Sequence, residues 1–540
     1  MIDIFSKHSY NIIITIKEKG GGIMTFKVSQ KIGKYYYVYE AESYWDKNKK
    51  QSRQRRRFLG RKDLISGEII NTKAKNKSQP VKSFDFGNIH FLKELSKQTG
   101  ITKILKEIIP EEYKEVLALV YYTICEEDAY YLASKWSEFN YVDIKPGDIS
   151  SQRISELLER IGYSMDWRIN FFKRWIEKQK EIEAIYFDIT SVSTYARLLD
   201  FAEWGYNRDR EKLRQTNIGL VYGSGSQLPL CYQVYPGSIP DVMTLANIKR
   251  YNVEYGIEDV IYVLDRGFYS KSNIEQLGEE RVVIPLSFST NLALELLKDN
   301  NGQLKDSKNI FMYNNSLYTV VKSNIKISNK RFEAYIFRNK EMHDEGETLL
   351  YKMLIGIEEK INNRIYTNKE DIEEEIEEIA KGYTKYFRIE MKNNVYLIER
   401  NEIMIEEQIR KFGTFILITN EQNQSEMEIL KLYKQKEDIE KVFDCMKNDI
   451  DRDRLRVHTT ERAEWTIFII YLSLILTAYI EKRIREKEVL KNYTKKEIIY
   501  ELKKLKLTQF ANGLNIVNEL SKKVKNIYNA FDIDVSNLLS

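Results

Sequence analysis

The strongest constraint on how this chain can fold is a pair of apolar runs that each end in an aspartate. Ile182, Ala184, Ile185, Tyr186 and Phe187 lead into Asp188, and Val260 to Leu264 lead into Asp265. Short runs rich in β-branched and aromatic residues read as buried strands, so each aspartate is expected at a strand end. Two further runs, Thr216 to Tyr222 and Pro229 to Tyr235, are joined by Gly223, Ser224, Gly225 and Ser226, which suit a tight hairpin turn. Helical Asp241 to Tyr251 then precedes the Val260 strand, and helix Ser270 to Leu277 precedes a strand at Arg281 to Leu286. Antiparallel strands followed by alternating strands and helices predict an α/β core, a mixed sheet with helices on its faces.

A carboxylate at such a strand end resists burial unless it is hydrogen-bonded, paired or metal-bound, and two on neighbouring strands repel unless a cation lies between them. The bland alternative for either one alone is a cap on the following turn. A third acid is offered by the helical segment Ser425 to Lys447. At 100° per residue, Tyr433, Lys436, Glu440 and Lys447 fall at about 0°, 300°, 340° and 320°, so an acid, two ammonium groups and a phenol share one face. Glu437 and Asp444 lie near the same face, and spacing alone does not exclude either as the third ligand. Three carboxylates of this kind suit a site that fixes two ions about 3.5 to 4 Å apart for phosphodiester cleavage, with phosphate and water completing the oxygen shells. Lys436 and Lys447 would contact phosphate without reading bases, or pair with neighbouring acids; Tyr433 would bond phosphate, stack on a base or anchor the helix. Arg266, beside Asp265, offers a planar fork for a phosphate or a salt bridge to a site carboxylate. Arg208 and Arg210, in the polar stretch after the first carboxylate strand, would line a substrate entrance or remain solvated.

Charge distribution says more than the formal sum of +5. Nine basic residues, Lys47, Lys49, Lys50, Arg53, Arg55, Arg56, Arg57, Arg61 and Lys62, crowd one short stretch, whereas Asp371 to Glu378 is nearly all acid. Most of the basic stretch lies in an extended ribbon from Phe26 to Phe58, with a polar turn at Asp46 to Lys50 and a second strand that runs on toward Gly60, and Arg53, Arg55, Arg56 and Arg57 are expected to meet DNA phosphates. Three dispersed cysteines, Cys125, Cys231 and Cys445, and four histidines make a zinc site improbable and fit a reducing, cytoplasmic setting. The apolar run Trp465 to Ile480 has 16 residues, short of a span of about 20, and reads as a core helix with no membrane partner.

With 540 residues, 43% of them apolar, the chain can hold about three or four domains. Residues 1–23 are expected to be a non-native or disordered extension. Gly20 to Gly22 precede Met24, and glycine codons begin with GG, so this stretch fits a translated ribosome-binding region; a peptide beginning at Met1 in natively expressed protein would reject that. Residues 24–80 read as the basic ribbon and linker, 81–180 as a helical DNA-binding module, and 181–286 as the first part of the catalytic core. Residues 287–410 read as a mostly β insertion, 411–481 as the second part of the core, and 482–540 as a C-terminal helical segment.

The quoted residues resemble the DDE transposases encoded by bacterial insertion sequences. Ile185 to Thr190 (IYFDIT) resembles their first-Asp strand, and Val263 to Ser270 (VLDRGFYS) their second-Asp segment. The family signature Tyr-x2-Arg-x3-Glu-x6-Lys is matched by Tyr433, Lys436, Glu440 and Lys447, with lysine in place of arginine, which keeps the charge and loses the bidentate fork. The resemblance selects Glu440 as the third acid and implies an RNase H-like core interrupted by the insertion. It implies Asp188, Asp265 and Glu440 as catalytic and metal-binding residues, with Mg²⁺ as cofactor, Mn²⁺ as a substitute, and two ions. It further implies double-stranded DNA at transposon ends and target DNA as partners, a homodimer on the paired ends, hydrolytic cleavage, and attack of the 3′-hydroxyl on target DNA. A metal-dependent nuclease without strand transfer and a catalytically inactive DNA-binding protein of the same fold remain alternatives.

Overall fold

The computed structural model describes residues 16–19, 23–32, 35–47, 49–62, 69–70, 80–126, 128–162, 166–179, 182–196, 199–205, 212–239, 245–422, 424–437, 440, 454–455, 457, 459–535 and 538. The chain divides into two compact units, one of Met1–Asn88, Phe139–Tyr141 and Tyr500–Ser540, the other of Ile89–Glu138 and Val142–Ile499.

The first unit is built on an antiparallel sheet of β1 (Ile16–Lys19), β2 (Ile23–Ile32), β3 (Tyr35–Asp46), β4 (Gln51–Lys62) and β5 (Ile69–Ile70), in that order. The long β3–β4 ladder brings the aromatic run against the basic run, and Val28, Val38 and Ala41 are buried. β1 falls within the stretch expected to be an extension and pairs with β2 from Ile16 opposite Phe26 to Lys19 opposite Ile23. A second sheet joins β6 (Pro80–Asp85) to Lys506–Phe510, which pairs in turn with Asn515–Val517. These two strands depart from the helical reading of residues 482–540. Lys506–Phe510 is held as a strand by its pairing with β6, a partner remote in sequence that no local propensity reports, and Asn515–Val517 pairs on its other side.

In the second unit, helices α1 (Gly87–Thr99, shared with the first unit), α2 (Ile101–Ile108), α3 (Tyr113–Cys125), α4 (Ala133–Phe139), α5 (Ser151–Gly162) and α6 (Asp166–Lys178) precede the main sheet. That sheet contains β7 (Ala184–Thr194), β8 (Arg214–Gly223) and β9 (Pro229–Pro236), followed after α7 (Leu245–Tyr255) by β10 (Ile261–Val263), then α8 (Lys271–Leu277) and β11 (Arg281–Leu286). Their spatial order is β9-β8-β7-β10-β11, with β8 antiparallel to both neighbours and β10 parallel to β7 and β11. This is an RNase H-like mixed sheet. Every residue of β7 is buried, as a central strand covered on both faces requires.

The insertion begins with α9 (Asn291–Asn300), β12 (Ile310–Tyr313), β13 (Ser316–Ile327) and β14 (Lys330–Asn339). It continues through α10 (Lys340–Asn362), α11 (Lys369–Ala380), β15 (Phe387–Lys392), β16 (Val395–Arg400) and α12 (Glu402–Lys411). Its first hairpin extends the main sheet, because β14 pairs with β17 (Thr414–Thr419), which pairs with β11 on its other side. The rest closes over its own core of residues such as Leu354, Ile361, Ile372, Ile398 and Ile405. The chain returns through Gly413, whose φ of +61° suits glycine; a Cβ there would meet the Asn339 carbonyl oxygen at 2.5 Å.

The helix Thr460–Glu486 holds the apolar run, and its most apolar window is 89% buried inside the protein. Trp465 stacks on Trp167 at 4.5 Å, and the Tyr471 hydroxyl donates to the Leu230 carbonyl at 2.6 Å. It is a core helix that holds α6 and β9 together.

Candidate active site

Strand register brings the two aspartates to one level. Tyr186 lies opposite Val263 in the parallel β7–β10 pair. Asp188 and Asp265 each stand two residues beyond that pair, so both share one sheet face at the same height, Asp188 in the interior of β7 and not at the strand end expected for it, Asp265 just past the end of β10. Asp188 is 8% exposed and accepts from the Ile189 amide at 2.8 Å. Asp265 caps the turn Arg266–Phe268, accepting from the Arg266 amide at 2.7 Å. The cap and a site role are therefore compatible. Phe268 packs on Phe187 at 5.4 Å, and the Asn273 side-chain amide donates to the Phe268 carbonyl at 2.9 Å, which ties this turn to β7 and α8.

The third acid is delivered by the chain after β17. The Asn420 side chain clamps the end of this strand to β11, accepting from the Val282 amide at 2.9 Å and donating to the Glu280 carbonyl at 2.8 Å. A reciprocal Ser425–Glu428 capping box then starts α13 (Glu426–Lys434). The single helix expected from Ser425 to Lys447 is interrupted at Gln435, and helical conformation resumes at Lys436, Glu437 and Glu440. At the interruption the Tyr186 hydroxyl donates to Gln435 Oε1 at 2.8 Å. Tyr186 is on the same β7 face as Asp188, so this bond aligns the signature segment with the first aspartate. Sequence reasoning overlooked Tyr186, Gln435 and Asn420 as positioning residues; the i−2 spacing of Tyr186 from Asp188 was the available signal.

Lys436 stands at the centre. Only 4% exposed, its Nζ lies 2.9 Å from Glu440 Oε1 and 3.7 Å from Asp265 Oδ1. Burial by itself would lower the pKa of this ammonium, but Asp188, Asp265 and Glu440 reverse the sign and hold it above the ordinary lysine value. Glu437 turns instead to Lys434 at 3.1 Å, which separates it from Glu440 as a site acid. Tyr433 stacks on Phe415 at 5.7 Å, which favours the helix-anchoring role for its ring, and burial raises the pKa of its phenol.

Arg266 is exposed, and among the described residues no carboxylate lies within ion-pair distance of it. Arg53, Arg55, Arg56 and Arg57 are all exposed on β4 of the other unit. Arg208, Arg210, Lys447, Asp444, Cys445 and His458 lie outside the described residues. Cys231 is buried, and that burial pushes its thiol pKa up, away from reactivity.

The donor set is all oxygen and gathers around one positive charge, which is the chemistry of a hard divalent cation. Among the described residues, however, no three Asp, Glu, His or Cys side chains lie close enough together to ligate a single ion. The acids meet through the Lys436 ammonium.

Fold and site together define an RNase H-like protein carrying acids on adjacent central strands and on the segment that returns to the sheet. The sequence model of the family described as Transposase DDE domain matches residues 179–476, more than half of the chain. The chain belongs to that family. Among solved structures, it is similar to a piggyBac transposase in a cryo-EM synaptic complex with hairpin DNA, at 10% identity and a TM-score of 0.33. That alignment covers 76% of this chain and 70% of the other. Comparison with curated proteins returns no match.

Proposed function

We propose that this protein is a DNA transposase that cuts insertion-sequence ends by metal-dependent phosphodiester hydrolysis and joins the 3′-hydroxyl ends to target DNA. The observation that carries the proposal is the convergence of Glu440 and Asp265 on one buried ammonium, with Asp188 at the same strand level. Family membership supplies the class of substrate, DNA.

In this reading Asp188, Asp265 and Glu440 would hold Mg²⁺, for which Mn²⁺ substitutes, with two ions expected. When bound, these ions supply activation of a water or 3′-hydroxyl and neutralise charge on the leaving oxygen. Arg266, presented on the turn that Asp265 caps, binds the phosphodiester beside the acids. Tyr186 orients the signature segment through Gln435, and the stack of Tyr433 on Phe415 anchors the helix. The β4 arginines contribute sequence-independent phosphate contacts. The expected assembly is a homodimer on paired ends.

DNA carrying the element ends, a target plasmid and Mg²⁺ should yield nicked ends and covalent joints to the target. Asp188→Ala, Asp265→Ala and Glu440→Gln should each reduce both products by about a hundredfold or more. Glu440→Gln keeps a hydrogen-bond acceptor for Lys436, so its fold and DNA binding should persist. Nicks without joints would indicate a nuclease, and undiminished activity in any one acid variant would overturn the proposal.

A further inference from the structure

We infer that Lys436 is a built-in counter-ion of the three acids and competes with the divalent cation for them, so that the site loads only when the ammonium withdraws. The inference rests on the reading of Asp188, Asp265 and Glu440 as the ion-holding acids, and goes beyond it by giving Lys436 a second task.

Four observations carry it. Lys436 is 4% exposed, whereas Glu440 and Asp265 have side chains that are 57% and 40% exposed, so the cation is the most enclosed member of that group. Its Nζ contacts one acid from its own helical turn and another from the β10 end, which no ordinary surface i,i+4 pair does. Among the described residues no three acids lie close enough together to share an ion, whereas the ammonium lies between Asp265 and Glu440 and contacts both. Finally, the Tyr186 hydroxyl donates to the side chain of the adjacent Gln435, which ties the segment bearing Lys436 to β7 on the face that carries Asp188.

The physical logic is charge balance. Clustered carboxylates repel in a partly dehydrated site unless a positive charge separates them. A lysine meets that need with a compact charge on a flexible four-carbon stem, and that stem can swing the charge away. A divalent cation entering the same centre must displace it, because ammonium and metal cannot share one position. The ammonium therefore keeps the acids together before loading and weakens their affinity for the ion.

Titration of Mn²⁺ into the full-length protein without DNA, followed by electron paramagnetic resonance, tests this directly. Lys436→Met removes the charge at similar length and should bind Mn²⁺ at least about tenfold more tightly than the wild type. Lys436→Arg retains the charge and should stay within about threefold of the wild type. Without metal the Lys436→Met chain should also melt at a lower temperature, and Mn²⁺ should raise its melting point more than it raises that of the wild type. Equal or weaker Mn²⁺ binding by Lys436→Met overturns the competition. So does a Lys436→Met chain that folds neither with nor without Mn²⁺, since the ion would then be unable to replace the ammonium. Mn²⁺ binding that is unchanged by Asp188→Asn, Asp265→Asn and Glu440→Gln fails differently: it removes the acid-triad reading itself, and the inference with it.

Discussion

At the scale of single residues, burial and charge partners decide how polar groups behave. His90 on α1 shows this away from the site. Burial, with smaller contributions from Lys93 and Lys97, pushes its imidazole down to about 4, and Glu94 opposes the shift only in part. The unfolded chain takes up this proton near the ordinary value of 6.5, while the folded chain refuses it until about pH 4. Protons thus favour the unfolded state across that window, and stability falls as pH drops from about 6.5 to 4. Denaturant unfolding of the wild type should lose about 2 kcal/mol more between pH 7 and 4.5 than the His90→Gln variant does. Equal losses would show that another group governs the acid limb. Asp265 illustrates a different point about residues. Its Oδ1 accepts from the Arg266 amide and also faces the Lys436 ammonium at 3.7 Å, so the turn cap leaves acceptor directions open for the proposed site role.

At the scale of elements, register does what composition cannot. In the β3–β4 ladder Arg53, Arg55 and Arg57 lie opposite Tyr44, Glu42 and Glu40, whereas Arg56 lies opposite Ala41. Directly opposed residues share a face, so three arginines stand on one side of the ribbon and the fourth on the other. The Arg55 guanidinium also covers the Tyr44 ring at 4.9 Å. If the three-arginine face meets the phosphate backbone, the triple replacement Arg53→Gln, Arg55→Gln, Arg57→Gln should weaken duplex binding. It should also lower the salt dependence of log K by roughly 0.9 for each phosphate that is no longer neutralised. Arg56→Gln alone should change the slope much less. Identical slopes for the two variants would mean that neither face is the DNA face. The same principle explains the strand pair at Lys506–Phe510 and Asn515–Val517. Lys506–Phe510 lies between β6 and Asn515–Val517, and its ladder with β6 is a contact that the local residues do not encode.

At the scale of the whole molecule, the second unit is held by a core in which one charged pair is enclosed. Arg168 of α6 is 4% exposed and pairs with Glu464 on the long helix, while its guanidinium lies 5.5 Å from the Tyr232 ring centre. Burial raises the carboxyl pKa of Glu464, and Arg168 opposes that rise. Removing one partner leaves the other charge without compensation in a low-dielectric setting. Arg168→Met should therefore cost about 3–5 kcal/mol in unfolding free energy, and the double variant with Glu464→Gln should cost clearly less than the single one. Additive costs in that cycle would show that the pair does not act as a unit. Because α6, β9 and the long helix meet here, the loss would be read in the cooperative unfolding of the second unit.

Much of this architecture is legible in the order of residues alone. The apolar runs ahead of Asp188 and Asp265, the glycine-rich turn at Gly223 to Ser226 and the strand–helix alternation after Tyr251 are local signals, and they specify a mixed sheet; the strand end expected at Asp188 is not one, because β7 runs on to Thr194 through its ladder with β8. Tertiary structure decided the rest. That the two aspartates share one level depends on the parallel register of Tyr186 with Val263. That the signature segment is tied to the strand of the first aspartate at Gln435 depends on a hydroxyl from a strand nearly 250 residues away. That Lys436 lies among the acids depends on β17 re-entering beside β11, after an insertion that builds its own core. Periodicity reports which side of an element a residue faces; only packing determines what waits on that side, because the partners come from distant parts of the chain and their meeting leaves no local pattern.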